Sequence, residues 1–318
     1  MAEITRIFFA TDLHGSEKCF LKFLNAGKFY KSNIIIMGGD ITGKLMIPIV
    51  EEAGGKYHAT LSDSRHDVSS EKELHELEDQ IRLAGFYPYL TNPQEMQEMQ
   101  LDEKKVESLF KKLMLDTVQR WVDLAEQRLK GTGISVYITG GNDDLREITP
   151  ILQSSDYVID PEERVVDLNS KYKMLSTGWS NPTPWKTPRE CSEEELGAKI
   201  EGMASQIHDF KNVIFNLHVP PIDSGLDTCP RLDENLKPII VGGEMSVGPG
   251  GSSAIRAAIE KHQPLVGLHG HIHESKGFVK IGRTLCFNPG SEYSEGILRG
   301  VLVDLEDGKV KNFLLTQG

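Results

Sequence analysis

The sequence predicts an α/β fold whose first strands run parallel. Three observations carry this. Residues 4–10 are a short apolar, β-branched and aromatic run of the kind buried strands use. Residues 16–26 follow as a helix, with Gly27 placed to stop it, and 33–37 form a second buried-type strand ending at Gly38-Gly39-Asp40. Strand, helix and strand in so short a stretch make a βαβ unit. In sheets of that kind ligands gather beyond the carboxyl ends of the strands, where Asp12, His14 and Asp40 fall.

Further along, 44–61 reads as a hairpin turned at Gly54-Gly55. Residues 69–84 and 102–130 read as helices, separated by a loop at 87–93. The second helix carries Val106, Leu109, Phe110, Leu113, Val118, Trp121, Val122, Leu124, Ala125 and Leu129 at three- and four-residue spacing. Such a stripe seeks a partner surface, either the domain itself or a second copy in a homodimer. Strand pattern resumes at 134–138, so 43–133 is read as a largely helical insertion into one continuing domain spanning 1–318. After it come strands at 165–168, 172–176, 213–217 and 265–268, and helices opened by Ser192 with its three following glutamates and by Ser252. Residues 279–287 and 300–315 read as closing antiparallel strands.

Composition narrows the function. The 318 residues carry a net charge of −12, with 39% hydrophobic and 26% charged residues, the balance of an ordinary globular chain. That charge argues against non-specific nucleic-acid binding and against electrostatic attachment to anionic membranes. The four cysteines, at 19, 191, 229 and 286, have no metal-knuckle spacing and read as small core side chains. The opening MAEITRIFFATD has no basic start before a long apolar run, and no apolar segment approaches the length of a membrane span, so a cytoplasmic protein without signal peptide is expected.

Five short pieces stand directly after predicted strands: Asp12-Leu13-His14, Gly39-Asp40, Gly141-Asn142-Asp143-Asp144, His218 and Gly270-His271-Ile272-His273. Residues i and i+2 of extended backbone point the same way, so Asp12 and His14 can face one ion and His271 and His273 one cavity. Mixed carboxylate, amide and imidazole donors suit Mn, Fe or Zn better than calcium. Gly38, Gly39, Gly140, Gly141 and Gly270 would permit tight turns. His269 alternates off that face and reads as structural. The glycine run 248–251 reads as a capped turn, and 178–189 either as the rim of a pocket or as plain surface.

In order, these pieces resemble the calcineurin-like metallophosphoesterases, whose pattern is D-x-H, G-D, G-N-H-[DE], H and G-H-x-H. The resemblance spans Asp12 to His273 apart from the insertion. It implies a four-layer αββα sandwich of two mixed β-sheets flanked by helices. It also implies two divalent transition metal ions, one held by Asp12, His14, Asp40 and His273, the other by Asp40, Asn142, His218 and His271, with Asp40 shared. The implied activity is hydrolysis of a small phosphate ester by attack of a metal-bridging hydroxide. One position departs from the pattern. The histidine expected after Asn142, which binds phosphate or protonates the leaving oxygen, is Asp143 here. Asp143 is the candidate catalytic residue in its place, able to act as a general acid only if burial raises its pKa; Asn142 and Asp143 are the expected substrate contacts, and the loss of that histidine favours diesters over monoesters. The alternative implied by the same family is a weak or inactive scaffold that uses the fold for protein contacts.

Overall fold

In the strand Thr5–Ala10 the side chains of Ile7 and Phe9 enter one apolar core while Phe8 and Ala10 enter another. This period-two division recurs at Ile34 and Ile36 against Ile35 and Met37, and it makes both faces of the sheet buried. The computed structural model describes residues 4–61 and 63–318. The reading of a missing signal peptide rests partly on residues 1–3, which lie outside them.

Two mixed sheets form the centre. The first runs Lys309–Gln317, Arg299–Glu306, Thr5–Ala10, Ile34–Met37, Ser135–Ile138, Val158–Ile159, with the last four strands parallel and the first two antiparallel. The second runs Lys173–Thr177, Val213–Leu217, Val266–Leu268, Thr284–Asn288, Gly277–Ile281, and only its last pairing is antiparallel. Their inner faces share one core, including Phe9, Ile36, Tyr137, Met174, Ile214 and Phe287. Helices Glu17–Phe29, Glu103–Leu129 and Ile148–Gln153 cover the outer face of the first sheet. Helices Glu193–Ala204 and Ser253–His262 cover that of the second. The four-layer αββα arrangement is therefore present. Among the described residues, no helix is long and apolar enough to cross a membrane.

The insertion contains more than helices. Its strands Met46–Glu52, Lys56–Leu61, Ser64–Val68 and Tyr87–Thr91 make a four-stranded sheet with a small core of Ile49, Ala59, Leu74, Leu77 and Ile81. The hairpin at 44–61 forms as expected. The stretch 87–93, expected as a loop, instead holds the strand Tyr87–Thr91. Its Pro88 masks the pattern, but this is an edge strand, where a missing N–H is tolerated. Ser64–Val68 is an opposite, polar edge without an apolar signal. Helix Pro93–Leu101, capped by Asn92, buries only Met99 and also left little pattern to read.

Two other expectations need correction. Gly27 does not stop the first helix, which continues to Phe29; a Cβ there would meet Ile134 at 3.1 Å, so the residue lets helix and sheet approach. The ranges 279–287 and 300–315 each fall on a two-stranded hairpin, turned at Gly282-Arg283 and Asp307-Gly308.

The long inserted helix belongs to the main fold through its second half. Val118, Trp121, Val122, Ala125 and Leu129 are buried in the outer core of the first sheet, so the stripe finds its partner surface within this chain. Trp121 stacks on Phe20 with ring centroids 4.2 Å apart and planes 3° from parallel, and Arg120 clamps Glu17 with two bonds of 2.6 Å. Replacing Trp121 by alanine is expected to cost about 3–5 kcal/mol. Trp121→Phe, which keeps a ring and removes an indole N–H buried without a partner, should lose less than half of that. Urea unfolding checks both; a loss under about 1 kcal/mol for the alanine variant would contradict the packing argument.

Candidate metal centre

All five sequence pieces converge where the carboxyl ends of strands from both sheets meet. The turns interlock through their backbones: Asp12 N donates to Gly39 O, His14 N to Asp40 O and Gly270 N to His218 O, at 2.9, 2.9 and 2.7 Å. Space is tight. A Cβ on Gly141 would lie 2.2 Å from Asp40 Oδ1 and 2.3 Å from Asp40 N. Gly39 has φ +123° and faces the His218 ring. Of the glycines expected to permit turns, only Gly39 uses a left-handed φ; Gly38, Gly140, Gly141 and Gly270 instead make room for neighbours. The left-handed positions fall on side chains of the cluster itself: Asp12 (φ 55°), His14 (43°), Asp40 (49°) and His271 (67°). Strain of this kind persists only where surrounding structure enforces it, and it gathers at functional sites.

The side chains come together in groups that lie close to one another around Asp40. His14 Nε2 and His273 Nε2 approach to 3.1 Å, and His273 Nε2 lies 3.4 Å from Asp12 Oδ1. Asp40 Oδ2 is 3.8 Å from His14 Nε2 and 3.4 Å from His218 Nε2. His271 Nδ1 is 2.7 Å from Asn142 Oδ1. Asp12, His14 and His273 offer donor atoms close enough to hold one ion, and Asp40, His218 and His271 another.

Neighbours aim these donors. His218 Nδ1 is 3.0 Å from Gly38 O, so an Nδ1–H turned to that carbonyl leaves Nε2 facing the cluster. Thr187 Oγ1 accepts from Asn142 Nδ2 at 2.9 Å, turning the amide oxygen inward, and Thr187 in turn donates to Glu190 at 2.7 Å. The Asp144 carboxylate accepts from Gly141 N, Ile41 N, Thr42 N and Thr42 Oγ1, pinning two turns together. Asn288 Nδ2 donates to the carbonyls of Gly270 and Ile272, and Ser291 Oγ to that of Asp12. His269 turns away to the carbonyls of Leu217 and Val219, a structural placement.

Charge is unbalanced in a way that fits cations. Burial pushes Asp12 and Asp40 upward, yet the surrounding imidazoles hold both below the usual carboxylate range, through His273 and His218 for Asp12 and chiefly His218 for Asp40. Burial pulls His218 down, but the Asp40 and Asp12 charges raise it to about 10. Burial lowers His14 to about 3 and His271 to about 4, keeping their ring nitrogens neutral and free to donate electron pairs. His218 Nε2 is buried without a hydrogen-bond partner among the described residues. Buried carboxylates need a positive partner, and neutral imidazoles aimed at them make a donor set that two divalent ions fit.

Asp143 lies at the edge of the cluster, and with His14 and Asp40 it makes a third group of donors close enough to hold an ion. Its N–H donates to Asp40 Oδ1 at 2.9 Å, while its carboxylate pairs with Lys44 Nζ at 2.5 Å and lies 3.9 Å from His14 Nδ1. Burial and the Asp40 charge push its pKa up to about 6, with Lys44 resisting. Lys44 was not visible as a site residue, being a lone lysine four positions past Asp40. Thr187, Arg189 and Tyr293 were missed likewise. Arg189 donates to the carbonyls of Asp144 and Leu145, and Tyr293 packs 4.7 Å from the His14 ring. Of 178–189, Trp185 to Pro188 reach the cavity over the site, whereas Trp179 lies under Lys199 and Arg146. The 248–251 turn leads to a helix end already filled by the Glu193 carboxylate.

No family model matches the chain. An uncharacterized protein of Methanocaldococcus jannaschii, MJ1162, is 30% identical over 158 residues, 49% of this chain and 64% of that relative; the chain thus spans less than two thirds of its length. Among solved structures, TT1561 of Thermus thermophilus superposes with a TM-score of 0.55 at 12% identity over 99% of each chain. A second solved structure reaches 0.57 at 15% identity, also over 99% of each chain. Likenesses at such identity concern the fold. What is shared is two mixed sheets between helical layers; in this chain paired Asp/His groups gather at the carboxyl ends of the strands.

The close packing at Gly141 makes a clean contrast possible. Gly141→Ala should destabilise by about 1–3 kcal/mol, because backbone of Asp40 must move. Gly202→Ala, at a helical position with open space around it, should instead stabilise by roughly 0.5–1 kcal/mol. Equal effects of the two in chemical denaturation would refute the crowding.

Proposed function

We propose that the protein is a dinuclear-metal phosphoesterase in which Asp12, His14, Asp40 and His273 hold one ion and Asp40, Asn142, His218 and His271 the other. The observation that carries this reading is the placement of Asp40 Oδ2 within 3.8 Å of both His14 Nε2 and His218 Nε2, which suits a bridging carboxylate. Divalent ions at such a site offset the charge of a phosphoryl group and bring the pKa of water toward neutrality. The chain's own contributions are then geometric and electrostatic. Thr187 orients the Asn142 amide, and the Gly38 carbonyl fixes the His218 ring. Lys44, half exposed at the mouth of the site, offers an ammonium to a phosphoryl oxygen, and Asp143 steadies it.

Diesters are the favoured substrates. The carboxylate of Asp143 is paired with Lys44, which favours its ionised form and competes with the proton donation to a leaving alkoxide that burial would otherwise promote. Esters with good leaving groups, or diesters already less charged than monoesters, depend least on that proton.

Asp40→Asn should reduce bound divalent metal below two equivalents and lower hydrolysis of bis(p-nitrophenyl) phosphate at least about a hundredfold. Metal analysis after reconstitution, run beside the assay, reads both; full activity in the variant would sink the proposal. Asp143→His should raise turnover of an alkyl monoester with a poor leaving group, glycerol 2-phosphate, at least about tenfold, a fraction of what a well-placed general acid contributes, while turnover of bis(p-nitrophenyl) phosphate stays within about twofold. A parallel rise in both would show that the proton is not what separates the two substrates.

A further inference from the structure

The cavity that opens on the metal centre is far larger than a phosphate group requires. It measures about 940 Å³ and lies between the inserted helix, the 185–188 loop and the segment 229–238. One end is lined by Asp40, Lys44, Asn142, Asp143, His271 and His273. The remainder is mainly apolar, with Phe110, Met114, Leu145 and Trp185 among its lining and Leu236 and Pro238 contributed by the 229–238 segment. Trp185 is 61% exposed and Leu236 45% exposed, unusual for large apolar side chains that line a cavity. The apolar part is held in register with the polar end: the Phe110 ring packs edge-on to Tyr87 at 5.6 Å, and the Tyr87 hydroxyl accepts the Gly43 N–H at 2.6 Å, one residue before Lys44.

We infer that this cavity takes a small phosphate ester bearing a flat aromatic group, which lies between Trp185 and the Phe110–Met114–Leu145 surface while its phosphate sits beside Lys44. The inference rests on the phosphoesterase reading and adds the substrate class to it. An indole, a phenyl ring and prolines 188, 230 and 238 present rigid faces, which stack on a flat group at little entropic cost. On the same lining Lys44, Lys111 and Lys186 are offset by Glu107, Glu147 and Glu274, with Lys111 paired to Glu147, so the face has no basic excess to draw an anionic membrane surface, which favours a free ester over a lipid headgroup. On this view the insertion is a specificity element: its helix supplies Phe110 and Met114 from one half and anchors in the main core by the other.

The test compares two diesters that share a leaving group without an aromatic ring, methyl 2,2,2-trifluoroethyl phosphate and 1-naphthylmethyl 2,2,2-trifluoroethyl phosphate, on the metal-loaded full chain. The naphthyl ester should have a KM at least about tenfold lower. Phe110→Ala and Trp185→Ala should each bring that ratio toward one, and Trp185→Phe should restore most of it. Equal KM values in the parent chain overturn the inference, as does a ratio that both alanine variants leave intact. Calorimetric titration with 1-naphthyl phosphate and with inorganic phosphate reads the same preference without turnover. A naphthyl preference in binding without hydrolysis of either ester would support the aromatic site and count against the catalytic reading, whereas hydrolysis of both with equal affinity would do the reverse.

Discussion

Asp12 and Asp40 are buried side by side with the rings of His14, His218, His271 and His273, and most of this molecule's local geometry follows from that juxtaposition. Two carboxylates removed from water need positive charge close by, and the protein part of the cluster meets the need through His218, whose Nδ1 is committed to a carbonyl and whose Nε2 faces both acids. Divalent cations would answer the same demand more completely, because they would also find electron pairs on the neutral nitrogens of His14 and His271. The arrangement therefore makes sense as a ligand cage in a way that it does not as a structural ion-pair network, which would place Lys or Arg between the acids.

Holding that cage costs backbone freedom. Asp12, His14, Asp40 and His271 all adopt left-handed conformations that a non-glycine residue takes up unwillingly. The turns carrying them are locked from outside by groups that never reach the cluster centre: Asp144 across the 40–42 and 141 turns, Arg189 beneath the 144–145 carbonyls, and Asn288 beneath the 270–272 turn. Removing Cβ atoms lets the turns close up, which explains why the glycines around the site mostly have ordinary φ values. Their contribution is proximity between backbones, and among Gly38, Gly39, Gly140, Gly141 and Gly270 only Gly39 also contributes an unusual angle.

This distinction marks what could be read from sequence. The cluster residues were legible because each follows a strand and because the i, i+2 pairs Asp12/His14 and His271/His273 repeat one spacing. The main strands were legible because both of their faces are buried, giving continuous apolar runs such as 34–37. Lys44, Thr187 and Tyr293 were not, since each is a lone polar or aromatic residue brought to the site by a turn whose course no local pattern records. The edge strands Ser64–Val68 and Tyr87–Thr91 escaped for a related reason: one is exposed and polar, the other is broken by Pro88, and a half-covered edge demands little of its sequence. Gly27 misled because glycine punctuates helices in general, while here it answers to the side chain of Ile134.

The Asp143–Lys44 pair connects the cage to the insertion. A histidine at position 143 would present a hydrogen bond and a titratable proton to the substrate. An aspartate there presents charge of the wrong sign, and the nearest compensation comes from Lys44, at the start of the inserted segment. Lys44 is set in place by Gly43, whose N–H is held by Tyr87, and Tyr87 supports Phe110. Position 143 is thus coupled by direct contacts to the inserted segment. In the proposed phosphoesterase, a lysine backed by an apolar wall would do part of the binding there, and substrate affinity would rest on the substituent as well as on the phosphoryl group.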